Sequence, residues 1–203
     1  SGLIRLACTP TLGLDFVPTM VSSFSEISEG VKFETHTFHY DEMLSHINEG
    51  SIDMGIAFEA VPGNDLDIKK IITCKFVVVA SEKFSLPNRT LKLEDLKKVP
   101  FANIEGPLSK KLSSFFRKNK FSPNIVTSTD SYFMASSFAE KGLAISVLDE
   151  ISANSLCDKK NIWELEESPS IDIYIILPKK ASRSVIEEKF LSYIAKQEYK
   201  INS

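Results

Sequence analysis

The sequence predicts an α/β fold in which two similar lobes are joined by two crossover strands. Short apolar strands alternate with amphipathic helices over residues 3–58, and the same alternation restarts at Phe101. The first and third strands are mostly apolar rather than alternating, which is typical of a parallel sheet covered on both faces. Two further strands, at 76–81 and 171–177, lie at the junctions between the two α/β units.

This pattern divides the chain into two Rossmann-like lobes. Lobe I is predicted to contain residues 1–80 plus 178–203, and lobe II residues 81–177. Two lobes joined by two strands form a hinged clamshell, which is a binding-protein architecture with its ligand in the cleft. A length of 203 residues suffices for one large domain or two small lobes.

The elements of lobe I follow from the spacing of apolar residues. A strand over Leu3–Cys8 leads into a helix from Thr11 to Ser28, whose apolar residues recur every three or four positions. Either Thr9 or Thr11 is expected to cap this helix, with Pro10 in its first turn. The remaining predicted elements are a half-buried strand at 31–38, a helix at 40–48, and strands at 52–58, 68–74 and 76–81.

Lobe II repeats the strand–helix order. Asp130 is predicted to cap the helix that follows its second strand, because aspartate is a leading N-cap residue. The predicted elements are helices at 91–98, 108–119, 130–141, 150–156 and 182–198 (the last returning to lobe I), and strands at 101–104, 125–128, 143–148, 162–166 and 171–177.

Composition narrows the class of function. A hydrophobic content of 43% and a charged content of 25% are ordinary for a globular protein. The net charge of −3 and the lack of a Lys/Arg run argue against polyanion binding by these residues. No apolar run approaches the roughly 20 residues of a membrane span. The chain opens with Ser1-Gly2 rather than methionine, which suggests either an excised domain or residues left by a removed tag.

The cysteines and histidines predict neither a disulfide framework nor a metal site. Three cysteines without CxxC spacing favour a reducing compartment. Cys8 and Cys74 lie in apolar strands and are expected to be buried, which leaves Cys157 as the more exposed candidate for a redox role. The histidines lack a neighbouring cysteine or paired carboxylate, so no metal or cofactor is predicted (His36, His39 and His46).

The sequence also lacks the motifs of common enzymes. It contains no Gly-x-Ser-x-Gly, no phosphate-binding glycine loop and no Cys/His pair at a recognisable spacing. We therefore expect a binding domain rather than an enzyme.

At the level of motifs, the chain resembles the effector-binding domain of LysR-type transcriptional regulators along nearly its whole length. The order and spacing of the motifs carry the resemblance more than any single one. The first matching segments are Gly2-Leu3-Ile4-Arg5-Leu6 before Thr9-Pro10-Thr11, and Val17-Pro18 in a helix ending at Phe24. Leu44 with Ile47-Asn48-Glu49-Gly50-Ser51-Ile52-Asp53-Met54-Gly55-Ile56 looks like the family's leucine–glycine–leucine–aspartate signature. The later matching segments are Val77-Val78-Val79-Ala80, Leu93-Glu94-Asp95-Leu96 with Pro100, and Glu140 to Leu148.

This resemblance implies a type 2 periplasmic-binding-protein-like clamshell that senses a small-molecule effector. It also implies an N-terminal winged helix-turn-helix outside these residues, through which alone operator DNA would be bound. The family's pattern further implies a cytoplasmic location and a homodimer, or a tetramer for the full-length protein. A solute-binding protein of a transporter has the same fold and is the alternative.

The resemblance also points to the effector site. In the family the first strand–helix turn faces the cleft, which matches Thr9, Pro10 and Thr11, and the opposite lobe presents the turn that matches Ser128 and Thr129. Helix N-termini with hydroxyl groups suit an oxyanion. Phe58 and Glu59 end the third strand at the same sheet edge, and Asn103 ends the first strand of lobe II. Glu59 and Asp130 would make the rim acidic and disfavour a strongly anionic effector, so an amphoteric, cationic or mostly uncharged effector is expected, and its charge stays open.

The first helix is also the candidate dimer surface. Leu12, Leu14, Phe16 and Val17 are more apolar residues than one core face needs. The family's arrangement implies antiparallel packing of this helix against a lobe II helix at 110–120.

Overall fold

In the computed structural model, ten strands and six α-helices alternate along the described residues, which are 2–58, 60, 62–63, 65–106, 108–180 and 182–199. The strands are β1 (Gly2–Cys8), β2 (Val31–Thr37), β3 (Met54–Phe58), β4 (Leu66–Val79), β5 (Thr90–Leu91), β6 (Pro100–Ile104), β7 (Asn124–Thr129), β8 (Ser146–Asp149), β9 (Ile162–Leu165) and β10 (Ser170–Pro178). The helices are α1 (Phe16–Ile27), α2 (Tyr40–Asn48), α3 (Ser109–Lys118), α4 (Tyr132–Glu140), α5 (Glu150–Leu156) and α6 (Val185–Lys196).

The chain forms two compact units. Unit 1 contains Ser1–Thr73 and Asp172–Lys200, and unit 2 contains Cys74–Ile171. The divisions fall inside β4 and β10, so these two strands each continue from one unit into the other.

Unit 1 is built on the strand order β2-β1-β3-β10. The pairs β1–β2 and β1–β3 are parallel and β3–β10 is antiparallel. One core cluster of unit 1 joins α2 to this sheet; its buried members are Ala7, Met43, Ile47, Ile52, Ala57 and Ile176. A second set of contacts is aromatic: the Phe24 ring of α1 lies 5.0 Å from the Phe190 ring of α6 and 6.2 Å from the Phe33 ring of β2.

The segment from Gly50 to Gly55, which resembles the family's signature, has a structural function. Asp53 is 8% exposed; one carboxylate oxygen accepts the backbone N–H of Arg5 at 2.8 Å, and the other accepts the Arg5 guanidinium at 2.9 Å. Gly50 has a φ of +77°, which favours glycine where α2 ends. Gly55 lets the backbone of β3 approach α2, because a Cβ there would lie 3.0 Å from Ile47 and nearer still to Met43. These residues therefore hold α2, β1 and β3 together.

Unit 2 contains two sets of paired strands. β4 pairs antiparallel with β8 and β9, and β5 pairs parallel with β9. β6 and β7 form a parallel pair, and Phe101 of β6 makes an isolated bridge to Ile145. The main core cluster packs α4 and α5 on these strands; its buried members are Val77, Val79, Ile104, Ala135, Ala139, Leu148 and Ala153.

Four predicted elements are wrong in detail. The two strands predicted at 68–74 and 76–81 are one continuous strand, β4. The helix predicted at 91–98 is absent: Leu91 is fully buried and pairs with Leu165 in the sheet, so only a four-residue 3₁₀ turn, Leu93–Leu96, remains. The strand predicted from Leu143 begins at Ser146.

Candidate functional site

The carboxyl end of β1 leads into a 3₁₀ turn at Pro10–Gly13 rather than directly into α1. The backbone N–H of Thr9 donates to the carbonyl of Ile56 at 3.1 Å, and the carbonyl of Thr9 accepts from Leu12 at 3.1 Å. Pro10 occupies the start of this turn, where its fixed φ is compatible with a helical conformation. These backbone contacts hold the turn against the end of β3.

The prediction that Thr9 or Thr11 caps the long helix is therefore wrong. The single 3₁₀ turn ends at Gly13, and α1 begins only at Phe16 with Asp15 as its N-cap residue. The Asp15 carboxylate accepts the hydroxyl of Thr19 at 3.1 Å. The position of Leu12 fits the apolar spacing of one long helix as well as a separate 3₁₀ turn followed by α1. The spacing alone therefore placed the start of the helix too early.

The hydroxyl of Thr9 is unsatisfied in this structure. Its oxygen is buried and, within the part of the chain that the structure describes, has no hydrogen-bond partner. An unsatisfied buried hydroxyl costs about 1–3 kcal/mol. Thr11 is the other hydroxyl of this turn, and it is 4% exposed. An acceptor or donor atom of a ligand beside Thr9 would remove this cost.

Phe58 lies at the same sheet edge as Thr9. β3 runs parallel to β1, with Cys8 opposite Ile56, so both strands end at this edge. Phe58 is the last residue of β3, pairs with Ile173 of β10 and is only 6% exposed. Glu59, the other predicted residue at this edge, lies outside the described residues.

The three predicted residues of lobe II also meet at one sheet edge, within unit 2. In the parallel pair β6–β7, Asn103 lies opposite Ser128, and the next pair brings in Thr129. Ser128 is exposed, Asn103 is half-buried and Thr129 is 9% exposed. The Thr129 hydroxyl accepts the backbone N–H of Ser131 at 3.1 Å. Thr129 therefore shapes the turn into α4, and Ser128 is the more available of the two hydroxyls.

Ser131, not Asp130, is the N-cap of α4, so that prediction is wrong. The Ser131 hydroxyl accepts from the backbone N–H of Met134 at 3.2 Å, while Asp130 is exposed. Serine and aspartate are about equally common as N-cap residues, so their statistical preference does not show which of Asp130 and Ser131 caps the helix. The first turn of α4 leaves the N–H groups of Tyr132 and Phe133 without an intrahelical acceptor, as a helix start does.

Burial perturbs several titratable groups. Burial raises the pKa of the Asp149 carboxyl to about 6, even though the carboxyl accepts from the backbone N–H of Ser152 at 2.8 Å. Burial also raises the pKa of the Cys8 thiol to about 11 and that of the Cys157 thiol to about 12. A thiol is reactive as its thiolate, so neither is suited to redox sensing. Cys8 and Cys74 are buried, as predicted.

The described residues contain no group of three or more potential metal ligands. His46 makes local contacts instead: its Nδ1 lies 2.9 Å from the hydroxyl oxygen of Ser51, and its ring stacks at 4.3 Å on Phe38. None of the described helices is long and apolar enough to span a membrane.

Comparison with known proteins identifies the family. Residues 1–198 match the family described as "LysR substrate binding domain". The chain is 26% identical over 158 residues to the HTH-type transcriptional regulator DgcR of Pseudoalteromonas sp, covering 75% of this chain and 53% of that protein. It is 20% identical over 192 residues to the HTH-type transcriptional regulator AdmX of Serratia plymuthica, covering 95% and 61%. The chain thus spans between half and two thirds of the length of these relatives.

Solved structures share the fold. The regulatory domain of Synechocystis PCC6803 CcmR in complex with 2-PG matches with a TM-score of 0.80 and 19% identity, over 96% of both chains. The effector-binding domain of QuiR in complex with shikimate matches with a TM-score of 0.81 and 16% identity, over 96% of both chains. Full-length CbnR complexed with target DNA matches with a TM-score of 0.81 and 16% identity, over 95% of this chain and 69% of that one. The predicted type 2 periplasmic-binding-protein-like fold is confirmed, and the chain belongs to the LysR substrate-binding domain family.

Proposed function

We propose that this chain is the effector-sensing part of a LysR-type, DNA-binding transcriptional regulator and that Thr9 hydrogen-bonds the effector. The observation that carries the proposal is the buried, unpartnered hydroxyl of Thr9 at the carboxyl end of β1. In α/β sheets, ligands bind outside the carboxyl ends of the strands. The family and the regulators among the relatives support the regulatory part of the proposal and disfavour the transporter alternative and an enzymatic role.

The proposed effector is a small molecule with oxygen atoms that accept hydrogen bonds. The donors near the predicted residues are the hydroxyls of Thr9 and Ser128 and the first-turn N–H groups of α4, and a helix start favours oxygen atoms with negative charge. Pro10, Thr11, Phe58, Asn103 and Thr129 stay in the proposal as predicted contacts or walls. Glu59 and the charge of the effector stay open.

The full-length protein is proposed to bind operator DNA through a helix-turn-helix segment outside these residues, and to act as a cytoplasmic homodimer or tetramer. Leu14 and Ile27, at 44% and 69% exposure, are the apolar side chains near α1 available to a dimer. Leu12 and Val17, also predicted for that surface, are buried in unit 1 instead. Sedimentation of this chain at micromolar concentration tests the dimer: a monomer throughout would contradict it.

A thermal-shift screen with shikimate as the first probe, followed by hydroxylated and carboxylated metabolites, tests the effector site. A compound bound only by the folded chain raises the midpoint, by an amount that corresponds to about 2.7 kcal/mol at a hundredfold excess over Kd. Thr9→Val keeps the shape but removes the hydroxyl, and should weaken binding about tenfold, whereas Thr9→Ser should retain it.

Two outcomes would contradict the proposal. An unchanged affinity in the Thr9→Val chain would remove Thr9 from the site. Consumption of the bound compound by this chain would replace the regulatory proposal with an enzymatic one.

A further inference from the structure

The carboxyl of Asp149 and the phenol of Tyr132 lie close together in unit 2, and each has an unused hydrogen-bonding atom. Asp149 ends β8 opposite Phe76 and is fully buried. One carboxyl oxygen accepts the backbone N–H of Ser152 at 2.8 Å, while the other has no partner among the described residues. The Tyr132 ring packs on the core cluster that contains Leu148, near enough for the charge of Asp149 to act on the phenol.

The phenol of Tyr132 is suited to supply the missing partner. Its hydroxyl forms no hydrogen bond with a described residue. A hydroxyl that donates to a carboxylate makes a charge-assisted bond, which is stronger than its bond to a neutral acid. A buried carboxylate with one free oxygen is costly, since burial penalises an unpaired charge. The charged form of Asp149 therefore gains more from Tyr132 than the neutral form does.

The charged groups on the elements around Asp149 do not neutralise it. Glu150, the first residue of α5, is an acid whose charge disfavours the ionisation of Asp149. Lys75 of β4 is engaged elsewhere, because its backbone N–H donates to Glu150 at 2.9 Å and its ammonium pairs with Glu164 of β9. β6 also packs against β8 and contains no titratable side chain. Among these elements, Tyr132 of α4 is the remaining donor for the charged carboxyl.

Tyr132 connects this carboxyl to the turn that precedes α4. It is the first residue of α4, directly after the N-cap residue Ser131. The Ser131 hydroxyl accepts from the backbone N–H of Met134 at 3.2 Å, and the Thr129 hydroxyl accepts from the backbone N–H of Ser131 at 3.1 Å. A movement of the Tyr132 side chain therefore acts on the first turn of α4 and on the two hydroxyls that hold it.

We propose that ionisation of Asp149, with its proton released to solvent, draws the Tyr132 hydroxyl to the free carboxyl oxygen and thereby changes the first turn of α4. Burial raises the pKa of Asp149 to about 6, so the change occurs between about pH 5 and pH 7. It is a property of unit 2 alone. Its use in regulation rests on the proposed function, because Ser128 and Thr129 in this turn are predicted effector contacts. An effector held by the turn would then bind with an affinity that depends on pH.

The test is a pH titration of the ¹⁵N,¹³C-labelled 203-residue chain by NMR, from about pH 4.5 to about pH 7.5. The carboxyl carbon of Asp149 reports its own ionisation, with an expected midpoint at about pH 6. The backbone amides of Ser152, Tyr132 and Phe133 should shift with the same midpoint. The three histidines titrate in this range as well, but all of them lie in unit 1, away from these amides.

Tyr132→Phe separates the movement of the turn from the titration itself, because it removes the hydroxyl and keeps the ring in the core. The Ser152 amide should still follow Asp149, while the shifts in the first turn of α4 should be lost. The Asp149 midpoint should rise by about one pH unit, because the carboxylate loses a donor. Asp149→Asn should abolish the titration at both places. No effector is added, so the result is independent of whether Thr9 binds one.

Asp130→Asn serves as the control, because Asp130 directly precedes the N-cap residue of α4 and is exposed. It should leave the Asp149 midpoint and the shifts of α4 unchanged, and loss of those shifts would assign them to Asp130 instead. Three further results would overturn the proposal. They are no ionisation of Asp149 between about pH 5 and pH 7, first-turn amides of α4 that do not follow its midpoint, and a Tyr132→Phe chain with the midpoint and shifts of the parent.

Discussion

Asp149 makes the stability of the chain depend on pH in a direction opposite to that of most aspartates. The side chain is fully buried at the start of α5, one oxygen accepts from Ser152, and within the described residues the other oxygen has no partner. Burial, which disfavours the charged form, raises the pKa from the ordinary 3.8 to about 6. The neighbours are Glu150, whose charge raises this pKa further, and the Tyr132 phenol, whose own pKa is raised by burial.

The sign follows from proton binding. Between about pH 4 and pH 6 the folded chain holds a proton on Asp149 that the unfolded chain has released, so raising the pH through this window lowers the free energy of unfolding. The difference between 3.8 and about 6 corresponds to about 3 kcal/mol over the whole window. About 1.3 kcal/mol of this lies between pH 5 and pH 7.

Urea unfolding of the parent chain and of Asp149→Asn at a series of pH values measures this contribution. Asparagine keeps the acceptor for Ser152 and cannot ionise. Burying the asparagine amide has a free-energy cost that is the same at every pH. The informative quantity is therefore the difference in free energy of unfolding between the variant and the parent, and how this difference changes with pH. The stability of the variant relative to the parent should rise by about 1.3 kcal/mol from pH 5 to pH 7 and level off above about pH 7.

Asp130→Asn is the matched control, because Asp130 is exposed and its side chain makes no hydrogen bond among the described residues. Its stability relative to the parent should vary little with pH over the same range. A pH-independent difference for Asp149→Asn would refute the reasoning, since it would mean that the buried carboxyl titrates in the folded chain as it does in the unfolded one.

Three further predictions concern packing and reactivity. Asp53→Ala should lower the free energy of unfolding by about 2 kcal/mol in urea, because the backbone N–H of Arg5 loses its carboxylate acceptor. Gly55→Ala should lower it by about 1–3 kcal/mol, because the added Cβ would overlap α2. Cys8 and Cys157 should react slowly with a disulfide reagent at pH 8 and quickly after unfolding, since their thiol pKa values are raised to about 11 and 12.

Each of these has a control within the chain. Gly63→Ala should be near neutral, since its Cβ would make only an ordinary 3.7 Å contact with Leu66, and a loss equal to that of Gly55→Ala would contradict the overlap. Arg5→Met should cost less than Asp53→Ala, about 1 kcal/mol or less, because the Arg5 side chain is 36% exposed. A rapid reaction of one thiol in the folded chain would contradict the effect of burial.

Much of the fold was predictable because local pattern and tertiary structure agree. The apolar β1 and β3 and the periodic spacing of α2 predict a parallel sheet covered by helices, which unit 1 has. The signature around Asp53 and Gly55 was recognisable from order and spacing, although only the structure shows that its function is to join Arg5 and α2 to β3.

The failures occur where a distant contact decides a local choice. Leu91 has helical neighbours, but its pairing with Leu165 in the sheet takes it out of the helix. The burial of Asp149, which directly precedes the predicted helix at 150–156, depends in the same way on a distant contact, the pairing of β8 with β4 opposite Phe76. The hydroxyl oxygen of Thr9 is likewise buried without a partner among the described residues. Burial and the absence of a partner depend on tertiary packing, which hydrophobic spacing cannot report.

Thr9 and Asp149 show why the same observation leads to different conclusions at two places. Each has a buried oxygen without a partner among the described residues. A carboxyl can reduce this cost by holding a proton, so Asp149 is explained by a shifted pKa and needs no ligand. A threonine hydroxyl does not titrate, so the cost at Thr9 persists in the free chain until another molecule supplies a partner. Thr9→Val should therefore raise the stability of the free chain while it weakens effector binding, and a variant that lost both would indicate that the hydroxyl supports the fold instead.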